Sequence, residues 1–534
     1  MVVTGSPSPS SPSPSPPSSA GPAVPGRQRV LAVAVAGAVL AGLLGWAVAP
    51  APASPGPERT GDPVLAERLR EVAGPGQYGL VAALVEDGEP TYAGIGDDGR
   101  GTPVGPDTPF EIGSVTKTMT GAVLAGLESE GVVRGSDRVR DVVPDREWGP
   151  VGDVTLGELA AHLSGLPREP GGLGDLVAGL GNVYFGLPAP AHTPEEILDA
   201  AAGATLGERG EPLYSNLANA LLGQLLAVRT GTPYPELLAR YVTGPLDMTA
   251  TGIPAVPPPG AAVGHDESGD AVAPWISAGD APAGTGVWST ATDLVRYTAA
   301  LDRPGSTVAA AAQARHPSEF GRIGYGWYTV PVSGPAGTGH TLLWKNGGSG
   351  GVSTSVLAEP ATGRTAIVLG NSEAGVDRIA AELLGVPSPF TAREAGGSNG
   401  STGIDAGDIR GLIGVVIAVG FPLLAGTTLL GTARGGWGRT RRPLRRTDVA
   451  SAVGTALFFL VVAWAAGAVS WVSVPFWMLG CVAAGAGLGL VVARRRSWEA
   501  DGGAGAAGRR WNAGFSLVLG VGALVAAVGT ALMI

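Results

Sequence analysis

Lysine is almost missing from this chain. Of the 35 basic residues among 534, only Lys117 and Lys345 are lysines, and the rest are arginine. Such a bias fits a GC-rich coding sequence, which writes arginine wherever a positive charge is enough. The two lysines that remain mark positions where arginine will not serve, because an ammonium can give up its proton and act as a base whereas a guanidinium cannot. Cysteine is scarcer still. The single copy, Cys481, lies in an apolar run, so no disulfide can close within the chain and no cysteine-based zinc site can be built. An outside domain without disulfides points to a bacterial rather than an animal protein. The five histidines, His162, His192, His265, His316 and His340, show no ligand spacing, so neither a metal site nor a cofactor is expected.

Charge is sparse and unevenly placed. Residues 1–53 carry +2 and residues 406–534 carry +8, which leaves −20 of the net −10 on residues 54–405. A central part that acidic excludes nucleic-acid binding by counterion release. Residues 1–29 are a Ser/Pro-rich stretch without periodicity, predicted to be disordered and cytoplasmic. Residues 30–53 are an apolar run behind Arg27 and Arg29, ending at Ala51-Pro52-Ala53; the run reads equally as a signal peptide or a signal anchor. A globular domain is expected over 60–385, and a Gly/Ser-rich linker over 386–410. Four apolar segments follow, at about 411–433, 449–470, 476–493 and 513–534, each long enough to contact lipid across a bilayer. Arg434 to Arg446 follow the first segment and Arg494 to Arg510 the third, so the positive-inside rule puts both loops in the cytoplasm. The same rule puts the globular domain and Ile534 outside.

Within the globular part, helical spacing is read over 63–72, 116–130, 156–163, 194–203, 217–229 and 376–384. Strands are read at 78–85 and 91–95 around an Asp87-Gly88 turn, and again at 342–346, 352–358 and 365–369. Strands at both ends with helices between them predict an α/β fold in which first and last strands share a sheet. Gly347 to Gly351 match a G-x-S-x-G pattern, but a β-branched stretch follows instead of a helix, so no nucleophile elbow is expected there.

The two lysines sit in informative surroundings. Ser114 begins a helix whose Val115, Met119, Val123 and Leu127 share a face, and Lys117 lies one turn on. A serine at a helix N-terminus meets free N–H groups that favour developing negative charge, and a partly desolvated lysine one turn away can supply its base. From the spacing alone, an N-cap serine followed by a solvated lysine is equally acceptable. Tyr214-Ser215-Asn216 stands directly before another apolar helix, and Trp344-Lys345-Asn346-Gly347-Gly348 lies on a strand of the returning sheet.

Ser-x-x-Lys, Tyr-x-Asn and Lys-x-Gly in that order resemble the penicillin-binding protein and class C β-lactamase superfamily, which includes D-alanyl-D-alanine carboxypeptidase-like serine hydrolases. The likeness runs over roughly 65–385 and extends to Thr108–Lys117, Thr155–Pro167, Gly244–Met248, Trp288–Leu294 and Gly324–Trp327. It implies a mainly antiparallel sheet flanked by helices, an inserted helical subdomain at about 135–285 carrying Tyr214, and then an all-α transmembrane bundle. It also implies an acyl-serine mechanism with Ser114, Lys117 and Tyr214 as catalytic residues. Asn216, Lys345, Asn346, Gly347 and Gly348 would bind substrate, with the Ser114 and Gly348 N–H groups as oxyanion hole. Asn346 stands where a hydroxyl residue is frequent, which removes one contact to a substrate carboxylate. No counterpart of a dedicated deacylation glutamate is read, in keeping with a class C-like site. The expected partner is a small-molecule or peptide substrate, in particular one derived from the cell wall. A membrane-bound sensor and a non-catalytic wall-binding module with the same fold are the alternatives.

Overall fold

A computed structural model describes residues 27–49, 51–171, 189–333, 339–388, 416–433, 445–465, 474–495 and 506–531, together with Asp175 and Ala178. The Ser/Pro-rich stretch, the linker from 389 on and most of both arginine loops lie outside the described residues. The chain divides into two compact units, one within 49–418 and 463–474, the other within 1–48, 419–462 and 475–534.

The larger unit is built on one sheet of nine strands: β1 (Arg59–Gly61), β2 (Leu80–Glu86), β3 (Glu89–Ile95), β4 (His316–Ser318), β5 (Gly321–Ile323), β6 (Tyr328–Ser333), β7 (Gly339–Ser349), β8 (Val352–Glu359) and β9 (Arg364–Gly370). Their order across the sheet is β1-β3-β2-β9-β8-β7-β6-β5-β4, and every pair is antiparallel. The first and last strands do meet, with Leu369 opposite Val81 and Ala366 opposite Leu84. Asp87 and Gly88 both take positive φ, 52° and 82°, the turn geometry whose twist suits a two-residue hairpin.

Burial explains the strand sequences. Leu80, Ala82 and Leu84 pack with Leu65 and Leu69 of the helix Pro63–Val72 and with Ile379 and Leu383 of the helix Asp377–Leu384. Val81 and Ala83 face the opposite way, into a core with Met119, Val123, Ile367 and Leu369. With both faces covered, β8 and nearly all of β9 are buried throughout; β9 reads as an apolar run from Ala366 to Leu369, whereas β8 also buries Ser353, Thr354 and Ser355. Each fully buried leucine contributes about 1.5–3 kcal/mol relative to an exposed one.

The helical part between β3 and β4 includes Thr116–Ser129, Leu156–Ala160, Pro194–Ala202 and Asn216–Thr230, close to the expected spans. The last of these starts at Ser215, whose hydroxyl accepts the Ala218 N–H, and stops at Gly231 with φ 65°. The sequence reading missed β4, β5 and β6. The first two are three residues long, and Pro317 and Pro331 interrupt the pattern of β4 and β6.

The described residues of the smaller unit are almost all helical. Four helices are long and apolar enough to cross a membrane, by length and composition: Arg27–Ala47, Val416–Ala433, Arg446–Trp464 and Val474–Ala493. They correspond to the N-terminal apolar run and to the first three segments of the tail. A fifth helix, Ala506–Ala531, covers most of the last expected segment, but it is not among the four that length and apolarity single out in the described residues. Close approach needs glycine here. A Cβ on Gly37 would lie 2.4 Å from the Gly485 carbonyl, and one on Gly485 only 2.2 Å from that of Gly37. Packing of small residues in this way drives helix association where no hydrophobic force acts between helices.

Candidate active site

Ser114 lies where the chain leaves the short ladder Phe110–Glu111 and turns into the helix Thr116–Ser129 through one 3₁₀ turn, Gly113–Val115. The turn requires glycine at 113. Its φ is 48°, and a Cβ there would lie 2.7 Å from the Gly348 nitrogen. Gly347 is under the same constraint, since its Cβ would be 2.0 Å from the Ile112 carbonyl oxygen and 2.9 Å from the Ser114 nitrogen. The β7 backbone is thereby pressed against the start of the helix, and Gly348 comes beside Ser114.

Lys117 Nζ donates to Ser114 Oγ at 2.8 Å and to the Ala283 carbonyl at 2.6 Å. The side chain has no exposed surface. Burial lowers its pKa to about 7, with the Glu169 carboxylate pulling the other way and the Arg168 cation adding to the fall. Tyr214 Oη donates to the same Ser114 Oγ at 2.7 Å. Tyr214 is held by its neighbours on both sides. The Ser215 hydroxyl donates to the Pro167 carbonyl at 2.6 Å, and the Ser215 N–H donates to His162 Nδ1 at 3.2 Å. The His162 ring lies 4.4 Å from that of Tyr214, tilted by 33°. Burial, and then Lys117, Lys345 and Arg168, push the His162 pKa well below its usual value, so this ring is a neutral packing and hydrogen-bonding partner.

Lys345 on β7 completes the surroundings of Tyr214. Its Nζ lies 5.2 Å from the ring centre, that of Lys117 5.0 Å and the Arg168 guanidinium carbon 5.1 Å. Burial lowers the Lys345 pKa against the opposing pull of Tyr214. Its neighbours on the strand serve a different partner. Trp344 Nε1 and Asn346 Nδ2 each donate to the Asp377 carboxylate at 2.9 Å, and Ser355 Oγ donates to it at 2.6 Å. Asn346, expected to bind substrate, is therefore engaged with Asp377, and its oxygen is 3.5 Å from Lys345 Nζ.

A cavity opens at Ser114, lined also by Asn216, Gly348, Trp275, Glu169 and Asp280. Of the residues expected to bind substrate, Asn216 and Gly348 line it directly. Glu169 was not foreseen: Asn216 Nδ2 donates to its Oε1 at 2.7 Å. His192 was set aside for lack of ligand spacing. It too lines the cavity, with Nδ1 2.8 Å from Asp280 and Nε2 3.3 Å from Asp175. Glu111 is buried behind the turn, where it accepts from Ser349 Oγ, and burial raises its pKa to about 7. Glu169 was within reach of sequence reading, two residues past the Thr155–Pro167 block. Asp377 and Asp280 gave no local signal.

The Beta-lactamase family model matches residues 66–385. A D-alanyl-D-alanine-carboxypeptidase/endopeptidase of Escherichia coli K12, AmpH, is 28% identical over 312 residues, covering 54% of this chain and 77% of its own. A beta-lactamase of Pseudomonas fluorescens is 26% identical over 336 residues, 55% of this chain and 88% of its own. Among solved structures, the octameric penicillin-binding protein homologue of Pyrococcus abyssi superposes with a TM-score of 0.50 at 25% identity, covering 62% of this chain and 79% of its own. With the family model spanning more than half of its length, the chain belongs to the beta-lactamase family of serine hydrolases.

Proposed function

We propose that this protein is a membrane-anchored, cell-surface hydrolase that opens an amide, peptide or ester bond through an acyl intermediate on Ser114. One observation carries the reading: Ser114 Oγ is held between Lys117 Nζ at 2.8 Å and Tyr214 Oη at 2.7 Å, at the mouth of a cavity. In the neutral form that burial favours, Lys117 accepts the Ser114 proton as Oγ bonds to the substrate carbonyl carbon. The Ser114 and Gly348 N–H groups would hold the oxyanion, a contribution worth about 10²–10³ in rate per donor. Tyr214 passes a proton to the departing amine or alcohol, and Lys345 and Arg168 steady it. Water then attacks the acyl-serine carbonyl, loses its proton through the same pair, and releases the acid and Ser114. Asn216 faces the substrate amide. The relatives named for carboxypeptidase, endopeptidase and β-lactamase activity support amide bonds as the target, and cell-wall peptides are the natural substrate class for a catalytic unit outside the membrane.

Turnover of an activated ester by the detergent-solubilised protein tests this. Many turnovers per chain, lost in Ser114→Ala, are expected. A single burst would mean a slowly acylating sensor, and no reaction a binding module.

A further inference from the structure

The charged lining of the cavity has no counterpart in the mechanism above. It consists of Glu169, Asp175, Asp280 and His192. His192 is protonated: hydrogen bonding to Asp280 raises its pKa to about 9, with Asp175 adding to the rise. It cancels one carboxylate; burial raises the Glu169 pKa, and Arg168, the Asn216 hydrogen bond and Lys117 pull it back down. Asp280 is nearly buried and is occupied by His192 and the Ser277 hydroxyl. Glu169 is different. It is half-buried, and its Oε1 takes the Nδ2 donor of Asn216 and lies 3.6 Å from Arg168 Nε.

That contact changes what Asn216 can offer. An asparagine beside an acyl-serine site can give its N–H₂ to a substrate carbonyl. Here one of the two Asn216 Nδ2 hydrogens is taken by the Glu169 carboxylate, which leaves a single N–H beside two kinds of acceptor, the Asn216 oxygen and the Glu169 carboxylate. A carbonyl, acylamino or carboxylate group placed against those oxygens would meet acceptor against acceptor. An ammonium, which only donates, pairs with both.

We propose that the acyl side of this cavity selects substrates bearing an ammonium group, such as an amino-acid amide or a peptide with a free amine, and that Glu169 is the residue that selects it. The inference rests on the acyl-serine reading and narrows it to a substrate class. A charge-assisted hydrogen bond in such a place discriminates by about tenfold or more.

The experiment compares two thioesters of the same thiol, one of alanine with its free ammonium and one of N-acetylalanine, in each hand, on the full-length protein in detergent. Labelling of Ser114 by a neutral fluorophosphonate is followed in parallel. The expected result is kcat/KM at least about tenfold higher for the ammonium substrate, and a ratio that collapses towards or below one in Glu169→Gln, whose carboxamide can donate to the acetyl carbonyl. Equal or better turnover of the N-acetyl substrate by the wild type would overturn the proposal. So would an equal loss on both substrates in Glu169→Gln, which would make Glu169 a deacylation base. Turnover of neither thioester with Ser114 still labelled counts against the selectivity and leaves the acyl-serine reading standing. Absence of labelling removes that reading and this one with it.

Discussion

Burial brings the Lys117 pKa close to neutral, as the proposed base role requires. Its side chain is enclosed by the helix that carries it and by the Ala283 carbonyl, and desolvation lowers its pKa to about 7. Below that value the ammonium form dominates and cannot take the Ser114 proton; above it the free amine can. Activity is therefore expected to rise with pH through an apparent pKa near 7, set by Lys117 with Lys345 close by. Lys117→Arg should lower kcat/KM about a thousandfold, because guanidinium keeps its proton. A flat profile between pH 5 and 9, or an active Lys117→Arg protein, would contradict this role. Lys117 was legible in the sequence because it is one of two lysines and lies one helical turn from a serine. Glu169 stands two residues past a block that was read, but its meaning comes from a contact 47 residues away with Asn216, which no local pattern shows.

At the scale of elements, strand β7 serves two purposes by alternation. Lys345 faces Tyr214, while Trp344 and Asn346 are tied to Asp377 at the start of the helix Asp377–Leu384. Burial raises the Asp377 pKa, and the three donors offset part of that cost. Removing the carboxylate in Asp377→Ala would leave the buried Trp344 and Ser355 donors and the Asn346 amide without it, at about 1–3 kcal/mol for each unsatisfied group. The expected outcome is a thermal midpoint of the hydrolase unit lowered by several degrees, with Asp377→Asn falling between, as it keeps one acceptor. An unchanged midpoint in Asp377→Ala would show that the network does not hold the strand. The long helices and β2, β3, β8 and β9 could be read from sequence because apolar period, caps and turn residues agreed. Strands β4 to β6 could not, since β4 and β5 have only three residues each, Pro331 interrupts β6, and they join the sheet one after another from β7 outward. The expectation that Asn346 would face substrate followed motif position. The structure gives its amide to Asp377, a partner 31 residues on that no local pattern announces.

For the whole molecule, the hydrolase unit and the apolar helices are two compact units, and the positive-inside rule predicts an orientation from the arginines that flank the helices. Both arginine-rich loops at 434–448 and 494–512 should be cytoplasmic and the catalytic unit outside. Protease added to intact spheroplasts should therefore cut within 54–405, and a reporter fused after Ile534 should be active outside. Protection of 54–405 would reverse the assignment. The central claim concerns one atom, Ser114 Oγ, and mass spectrometry of the full-length protein after treatment with a fluorophosphonate or a penicillin probe tests it most directly. The account predicts a single adduct, mapped by peptide analysis to Ser114 and absent from Ser114→Ala. An adduct on any other residue, or one that persists in Ser114→Ala, would contradict it.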